Sequence, residues 1–190
     1  MDGLLSLFTA FGLSSSAGLN AYLPLLVVAL LARFTDLIAL KPPWDAMESW
    51  WAIGVLAVLL LIEMLVDKVP AVDTINDTIQ TFVRPVAGAI LFAGNSGVVG
   101  DTHPVLAIVC GLLVAGGVHA VKATARPVVT GTTGGLLNPV VSTAEDILSL
   151  VVAVLSILVP VLALVLLLLI IVWLIRRRRR RRDRLSPAEW

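Results

Sequence analysis

The chain has 190 residues, of which 58% are hydrophobic and 14% are charged. Soluble domains average about 45–50% apolar and about 25% charged residues, and the mean hydropathy of this chain is +0.99. A soluble protein of this length has too little interior to cover that much apolar surface. The composition therefore excludes an ordinary soluble domain and predicts a protein whose apolar surface is covered by lipid.

Charge is segregated along the chain. Residues 176–184 hold eight Arg and one Asp, whereas residues 1–175 hold six Lys or Arg against eleven Asp or Glu. Because the basic run directly follows a long apolar segment, we interpret it as a membrane anchor and not as a nucleic-acid-binding segment. Its consecutive arginines are expected to bind anionic lipid: Arg176, Arg177, Arg178, Arg179, Arg180, Arg181 and Arg182.

The same arginines predict an orientation. Positive residues favour the cytoplasmic face, so residues 176–190 are expected to form a cytoplasmic tail. Residues 1–175 are expected to form a transmembrane helical domain that crosses the inner or plasma membrane several times. The partners predicted are the lipid bilayer and its anionic headgroups, and the pattern is compatible with a homo-oligomer.

The first apolar segment, Leu4–Ala32, is interrupted by small and polar residues and by Pro24. Proline removes one backbone hydrogen bond, so we expect a broken or kinked helix packed against protein. Asn20 lies at the interruption. Its amide either satisfies the freed backbone or bonds to another helix, and a ligand contact is the alternative. The N-terminus lacks the basic region of a signal peptide, which predicts a retained first helix.

Further elements follow from hydropathy and from the distribution of Gly and Pro. We expect a span over Trp51–Val66, an amphipathic helix over Asp67–Arg84, a short apolar segment from Pro85 to Gly100, a span over Pro104–Val121, irregular backbone over Ala123–Val141, and a last span over Glu145–Ile175. The predicted fold is an all-α, polytopic bundle of about five spans with broken or re-entrant segments. Five spans would place the N-terminus outside and the Arg33–Lys41 loop inside.

Several acidic residues could bind an ion. Glu63 and Asp67 stand four apart, so their carboxylates project from one helix face. They either belong to a cation or proton pathway, or they mark a helix end where Glu63 pairs with a basic residue. Asp73 continues the polar face of the expected amphipathic helix, which would lie at the interface or line a cavity.

His119, Lys122 and Arg126 form a basic stripe on one helix face. Facing Glu63 and Asp67, the stripe would make an intramembrane charge network. Facing the glycine-rich loop, it could hold an anionic or zwitterionic group. The alternative is that Lys122 and Arg126 extend to the lipid headgroups.

The residues Ser142 to Glu145 match the Ser-x-x-Glu capping box that opens a helix. Capping would explain Glu145 without a functional role. The alternative is that Glu145 binds a cation together with Asn138.

Signatures of soluble enzymes are missing, including HExxH, paired CxxC, GxSxG and the P-loop. Two histidines and one cysteine are too few for an ordinary zinc site, and the pattern identifies no other metal. We therefore expect neither enzymatic activity nor a cofactor.

Five stretches carry a family resemblance: Gly12–Pro24, Glu63–Asp73, Arg84–Ala89, Lys122–Pro127 and Gly134–Asp146. Together they resemble a prokaryotic membrane family known as domain of unknown function 4126, and the last stretch is the most specific. The resemblance covers roughly residues 5–175. It implies a small protein of the bacterial inner membrane and carries no activity with it.

Broken helices and intramembrane ionisable groups together favour transport or permeation of a small ion or solute. The residues expected to bind or gate it are Asn20, Glu63, Asp67, Asp73, His119, Lys122, Arg126, Asn138 and Glu145. The alternative is a non-transporting scaffold or accessory subunit whose arginine-rich tail binds anionic lipid or a partner.

Overall fold

The computed structural model describes residues 3–66 and 70–159, and the regular structure in these two ranges is helical. The all-α prediction is confirmed. The α-helices are α1 (Gly3–Leu19), α2 (Tyr22–Phe34), α3 (Trp50–Val66), α4 (Pro70–Asn95), α5 (Val98–Thr102), α6 (Pro104–Thr133) and α7 (Asn138–Val159), and a 3-10 helix covers Trp44–Glu48.

Two of these helices, α6 and α7, are long and apolar enough to cross a membrane. Helices α1, α2 and α3 are also apolar but have only 10–17 residues each. The long helices suggest that the protein associates with a membrane. A bundle of five spans is not confirmed.

Around Arg84, helix α4 turns polar side chains inward and apolar side chains outward, whereas its second half buries Leu91 and Phe92. Arg84 and Gln80 are 0% and 2% exposed, whereas Ile79 and Phe82 are 55% and 74% exposed. An amphipathic helix of a soluble protein buries its apolar face instead. The reversed arrangement is the one expected where the surrounding solvent is hydrocarbon and polar groups must find partners inside the protein.

The first apolar segment folds into a hairpin of two helices. Helix α1 ends at Leu19, and α2 begins at Tyr22. Ser6, near the start of α1, lines the same cavity as Lys41, which follows α2. The predicted break in the segment is confirmed. The hairpin returns the chain to the end of the bundle where α1 began, and the membrane sides of the N-terminus and of the loop after α2 stay a prediction.

Prolines end fewer helices than the sequence predicts. Pro85 lies inside α4, and Pro127 lies inside α6. The separate segment expected from Pro85 to Gly100 is therefore wrong, as is most of the irregular backbone expected over Ala123–Val141. Membrane-protein helices tolerate proline where neighbouring helices and hydroxyl side chains satisfy the freed backbone groups.

Only a short turn remains between α6 and α7 in the described structure. Gly134 and Gly135 have φ angles of 60° and 83° there, in the left-handed region that glycine enters without strain. Because α7 already begins at Asn138, Ser142 and Glu145 lie inside the helix. The capping-box interpretation of these two residues is wrong. The end of the predicted last span, beyond residue 159, lies outside the described residues.

Glycines bring α4 and α6 into close contact. A Cβ atom built on Gly111 would lie 2.6 Å from the Cα of Ala89, and one built on Gly88 would lie 2.8 Å from the Gly111 carbonyl oxygen. Gly18 of α1 approaches α6 as closely, with its added Cβ 2.6 Å from the Ala115 carbonyl oxygen. Small residues thus set the spacing of these helices, as they do in membrane bundles.

We predict that Gly111→Ala destabilises the protein by about 1–3 kcal/mol, the usual cost of overpacking a filled interface. The matched control is Gly117→Ala in the same helix, where an added Cβ meets nothing within 4 Å. It should leave stability unchanged or raise it by up to about 1 kcal/mol through helix propensity. Denaturation in detergent measures both, and equal stability of the two variants would refute the close α4–α6 contact.

Candidate functional site

Six ionisable side chains from four helices meet inside the bundle. Together with His119, we call them the charge cluster. They comprise three cations, on α4 and α6, and three carboxylates, on α3 and α7: Arg84, Lys122, Arg126, Glu63, Glu145 and Asp146. All except Glu145 are at most 9% exposed. Among the residues that the structure describes, the cluster therefore combines cationic and acidic side chains in equal numbers.

Arg84 joins three helices. Its Nη2 atom lies 3.1 Å from Glu63 Oε1 on α3, and its Nη1 atom lies 3.0 Å from His119 Nδ1 on α6. The other ring nitrogen, Nε2, lies 3.1 Å from the Thr81 hydroxyl. A guanidinium group presents donors in a rigid fork, so this arrangement fixes the relative positions of α3, α4 and α6.

The second half of the cluster joins α6 to α7. Lys122 Nζ lies 2.8 Å from Glu145 Oε2, and Arg126 Nη2 lies 3.3 Å from the same oxygen. The predicted stripe of His119, Lys122 and Arg126 is therefore present on one face of α6. The three residues are 4%, 6% and 9% exposed, respectively. Extension of Lys122 and Arg126 to the headgroups is wrong, because both side chains bind Glu145 within the protein.

The tip of the α1–α2 hairpin is bound to the cluster. Lys122 donates to the Leu19 carbonyl oxygen at 3.0 Å, and Asn20 Nδ2 donates to Asp146 Oδ1 at 2.9 Å. The Asn20 side-chain oxygen accepts from the backbone amides of Tyr22 and Leu23 at 3.1 and 2.9 Å. Asn20 thus performs both expected structural roles, since it satisfies amides at the start of α2 and bonds to another helix.

Serine hydroxyl groups extend the contact between α1 and the bundle. Ser16 donates to the Ser149 carbonyl oxygen on α7 at 2.8 Å, and Ser149 donates back to the Ser16 carbonyl oxygen at 3.1 Å. Ser14 donates to the Gly88 carbonyl oxygen on α4 at 2.8 Å. The hairpin is held inside the bundle by buried hydrogen bonds as well as by apolar packing.

The remaining predicted site residues lie elsewhere. Asn138 accepts a hydrogen bond from Thr130 at 3.1 Å and does not join Glu145. Asp67 and the seven arginines at 176–182 lie outside the described residues. Asp73 is part of α4, and its side chain is outside what is described.

Sequence reasoning did not select Arg84 or Asp146 as site residues. Arg84 stands in the middle of a helix with apolar neighbours on one side, and the carboxylate of Asp146 follows Glu145 directly. A charged residue amid apolar sequence was the available signal in both places. For Asp146 the expected helix start obscured that signal.

Two cavities lie apart from the cluster. One, of about 790 Å³, opens at the other end of the bundle. It lies between the start of α1, the loop after α2, the end of α4, and α5. Its polar lining includes Asp36, Lys41, Asn95 and Asp101. Lys41 and Asp101 form an ion pair there. A second cavity of about 310 Å³ is lined by apolar side chains and Tyr22. Among the described residues, no group of three or more His, Cys, Asp and Glu is placed to hold a metal ion.

A family model described as "Domain of unknown function (DUF4126)" matches residues 7–180. The chain belongs to the DUF4126 family. No curated protein and no solved structure matches it. The resemblance found in the sequence is confirmed, and the family description carries no activity.

In this DUF4126 protein, the stretches that carry the resemblance meet in space. The stretch around Asn20 forms the hairpin tip, and the other four contribute Glu63, Arg84, Lys122 with Arg126, and Glu145 with Asp146. The fold brings these stretches together, and the contacting residues Asn20 and Asp146 are 126 positions apart in the chain. The charge cluster is therefore the candidate functional site.

We predict strong coupling between Glu63 and Arg84. Arg84→Met leaves the Glu63 carboxylate buried without its cation and should cost about 3–5 kcal/mol of stability. Adding Glu63→Leu should recover most of that loss, because both members of the ion pair are then removed. Denaturation of the two single variants and the double variant measures the coupling.

The matched control for this cycle is Lys41→Met, which breaks the exposed pair with Asp101 at the other end of the bundle. Side chains at that pair are 70% and 47% exposed, so the loss should be below about 1 kcal/mol. Additive effects of Arg84→Met and Glu63→Leu would show that the two side chains do not interact energetically.

Proposed function

We propose that this DUF4126 protein is a multi-pass integral membrane protein that moves a small ion or solute, with the charge cluster as its gate. The observation that carries the proposal is the burial of three cations with Glu63 and Asp146 between helices, at the tip of a helical hairpin. Ionisable groups inside a membrane bundle are costly and usually mark substrate or ion pathways. The proposal involves no enzymatic step and no cofactor.

The membrane placement is supported by the outward-facing side chains. Trp51, Phe82 and Leu113 are 87%, 74% and 70% exposed on three different helices. Large apolar residues exposed on many sides suit contact with lipid. The arginine run at 176–182, outside the described residues, supports a cytoplasmic C-terminal side in a cell membrane.

The hairpin supports transport more specifically. Helices interrupted within the bundle leave backbone carbonyls and amides at depth, and transporters use such ends to hold ions and substrates. Here the Leu19 carbonyl oxygen and the amides after Asn20 lie beside Lys122 and Asp146. A solute that competes for Lys122 or Asp146 would release the hairpin tip from the cluster. Such exchange of partners is how the site would open.

A scaffold without transport is the second candidate. It is favoured by the pairing of each of the three cations with Glu63 or Glu145. It is also favoured by the location of the two cavities described above, neither of which the cluster lines. In that case the cluster would only fix the helix arrangement. The tail would then provide the function by binding anionic lipid or a partner protein.

Uptake by reconstituted proteoliposomes separates the two candidates. We expect Glu63→Gln to lower the uptake of radioactive sodium, rubidium or labelled amino acids by at least about tenfold, since gating residues are coupled to the permeation step. The matched control, Asp45→Asn, removes an exposed carboxylate outside the cluster and should transport like the wild type. Wild-type vesicles that take up none of these probes faster than empty vesicles would overturn transport and leave the scaffold.

The tail allows a separate test. Replacing the seven arginines at 176–182 with glutamine should weaken binding to vesicles containing anionic lipid, because each basic residue near the surface contributes about 1 kcal/mol to the attraction. The replacement should also raise the fraction of chains with an inverted C-terminus. Flotation with anionic and with neutral vesicles measures the first effect, and a C-terminal reporter measures the second. Unchanged binding and unchanged topology would remove the tail from the proposal.

A further inference from the structure

The cavity lined by Asp36, Lys41, Asn95 and Asp101, which we call the end cavity, has the size of a ligand site. Its volume is about 790 Å³, within the range of roughly 300–1,000 Å³ that is usual for small-molecule pockets. The start of α1, the loop after α2, the end of α4 and α5 enclose it. Among the described residues, no member of the charge cluster lines it, so a ligand there would be held by a separate set of groups.

Two buried hydroxyl groups of α1 belong to the wall of the end cavity. Ser6 and Thr9 are 7% and 3% exposed. Each donates its proton within its own helix, to the Gly3 carbonyl oxygen at 3.0 Å and to the Leu5 carbonyl oxygen at 3.1 Å, respectively. A hydroxyl oxygen whose proton is engaged still has lone pairs that accept. In this arrangement both groups offer acceptors to a ligand and no donor.

The other polar groups of the wall are mainly acceptors as well. Asn95 donates from Nδ2 to the Leu91 carbonyl oxygen at 2.9 Å, which leaves its Oδ1 atom to accept. Asp36 and Asp101 lie in the exposed part of the wall, and an ionised carboxylate can only accept. Lys41, the one cationic side chain of the described lining, is already paired with Asp101. Acceptors therefore outnumber the donors that remain.

We infer that the end cavity binds a compound through a primary ammonium group. Such a group carries a positive charge and three N–H donors, so it complements buried acceptors and the carboxylates beside them. An anion would place further acceptors against Asp36 and Thr9, and an apolar compound could not hydrogen-bond to either. The inference does not depend on transport, because it concerns groups at the opposite end of the bundle from the charge cluster.

Trp44 supplies an aromatic part of the wall. The residue is half-buried and packs against Gly94 at the end of α4, where an added Cβ atom would lie 3.5 Å from the Trp44 Cβ and Cγ atoms. Tryptophan attracts cations to the face of its ring. Ile38, Ile108 and Ile157 extend the apolar part of the lining. The wall thus suits an alkylammonium compound, whose carbon chain needs apolar contacts and whose nitrogen needs acceptors.

A primary ammonium group has two possible sources, a soluble amine and the ethanolamine headgroup of a lipid. Titration calorimetry of the detergent-solubilised protein with 1,4-diaminobutane tests the first, and uncharged 1,4-butanediol is its matched control. Native mass spectrometry with equal amounts of phosphatidylethanolamine and phosphatidylcholine tests the second, since the choline headgroup has no N–H donor. Saturable binding of the diamine but not the diol, or selective retention of the ethanolamine lipid, would support the inference. Failure of both would overturn it.

Substitutions in the wall locate the bound group. Asp36→Asn should weaken binding of the retained ligand about tenfold, because it removes a charged acceptor. Thr9→Val keeps the shape of the side chain but removes a neutral acceptor, so it should weaken binding about threefold. The matched control is Asp45→Asn, which removes an exposed carboxylate that does not line the cavity and should bind like the wild type.

The same titrations can contradict the assignment. Affinity that neither Asp36→Asn nor Thr9→Val changes would show that the ammonium group is held elsewhere. An equal loss in Asp36→Asn and Asp45→Asn would show a general attraction of cations to the surface and no site in the end cavity. Tighter binding of succinate than of 1,4-diaminobutane would show that the wall selects anions.

Discussion

Arg84 dominates the organisation of the bundle, because a guanidinium group with no exposed surface must be neutralised and hydrogen-bonded where it lies. Glu63 from α3 supplies the opposite charge, and His119 from α6 supplies a neutral acceptor. These contacts restrict the rotation of three helices, since turning any of them by one residue would remove its side chain from the site. Apolar packing alone provides no such restriction, because most outward faces are chemically alike.

The hairpin depends on the same constraint. Its tip exposes the Leu19 carbonyl oxygen and the amides at the start of α2, and in hydrocarbon these groups would have no partners. Lys122 and Asn20 supply the partners, and Asp146 in turn holds Asn20. A hairpin can therefore end inside the bundle only because the charge cluster is there. The cluster gains from the hairpin in return, since the tip covers Lys122 and Asp146 from that side.

Hydropathy and residue type predicted the helical class, the break at Asn20 and the basic stripe of α6, because each is a local property of the chain. They did not predict that α4 continues through Pro85, since the groups that satisfy its backbone belong to other helices. The predicted capping role of Glu145 was wrong for a related reason. The capping box at Ser142 is a local signal, and the tertiary pairing of Glu145 with Lys122 and Arg126 outweighs it. Pairing across helices is what sequence spacing alone leaves open.

Pairing of the three cations with carboxylates does not by itself distinguish a scaffold from a gate, because both need compensated charges at rest. The difference lies in whether the resting arrangement has a nearby alternative. Arg84 keeps its charge, because a guanidinium group is not deprotonated in proteins, and its pairing alone would fix the helices permanently. The hairpin tip differs, since the proposed opening would exchange the Leu19 carbonyl oxygen and Asn20 for a solute at Lys122 and Asp146.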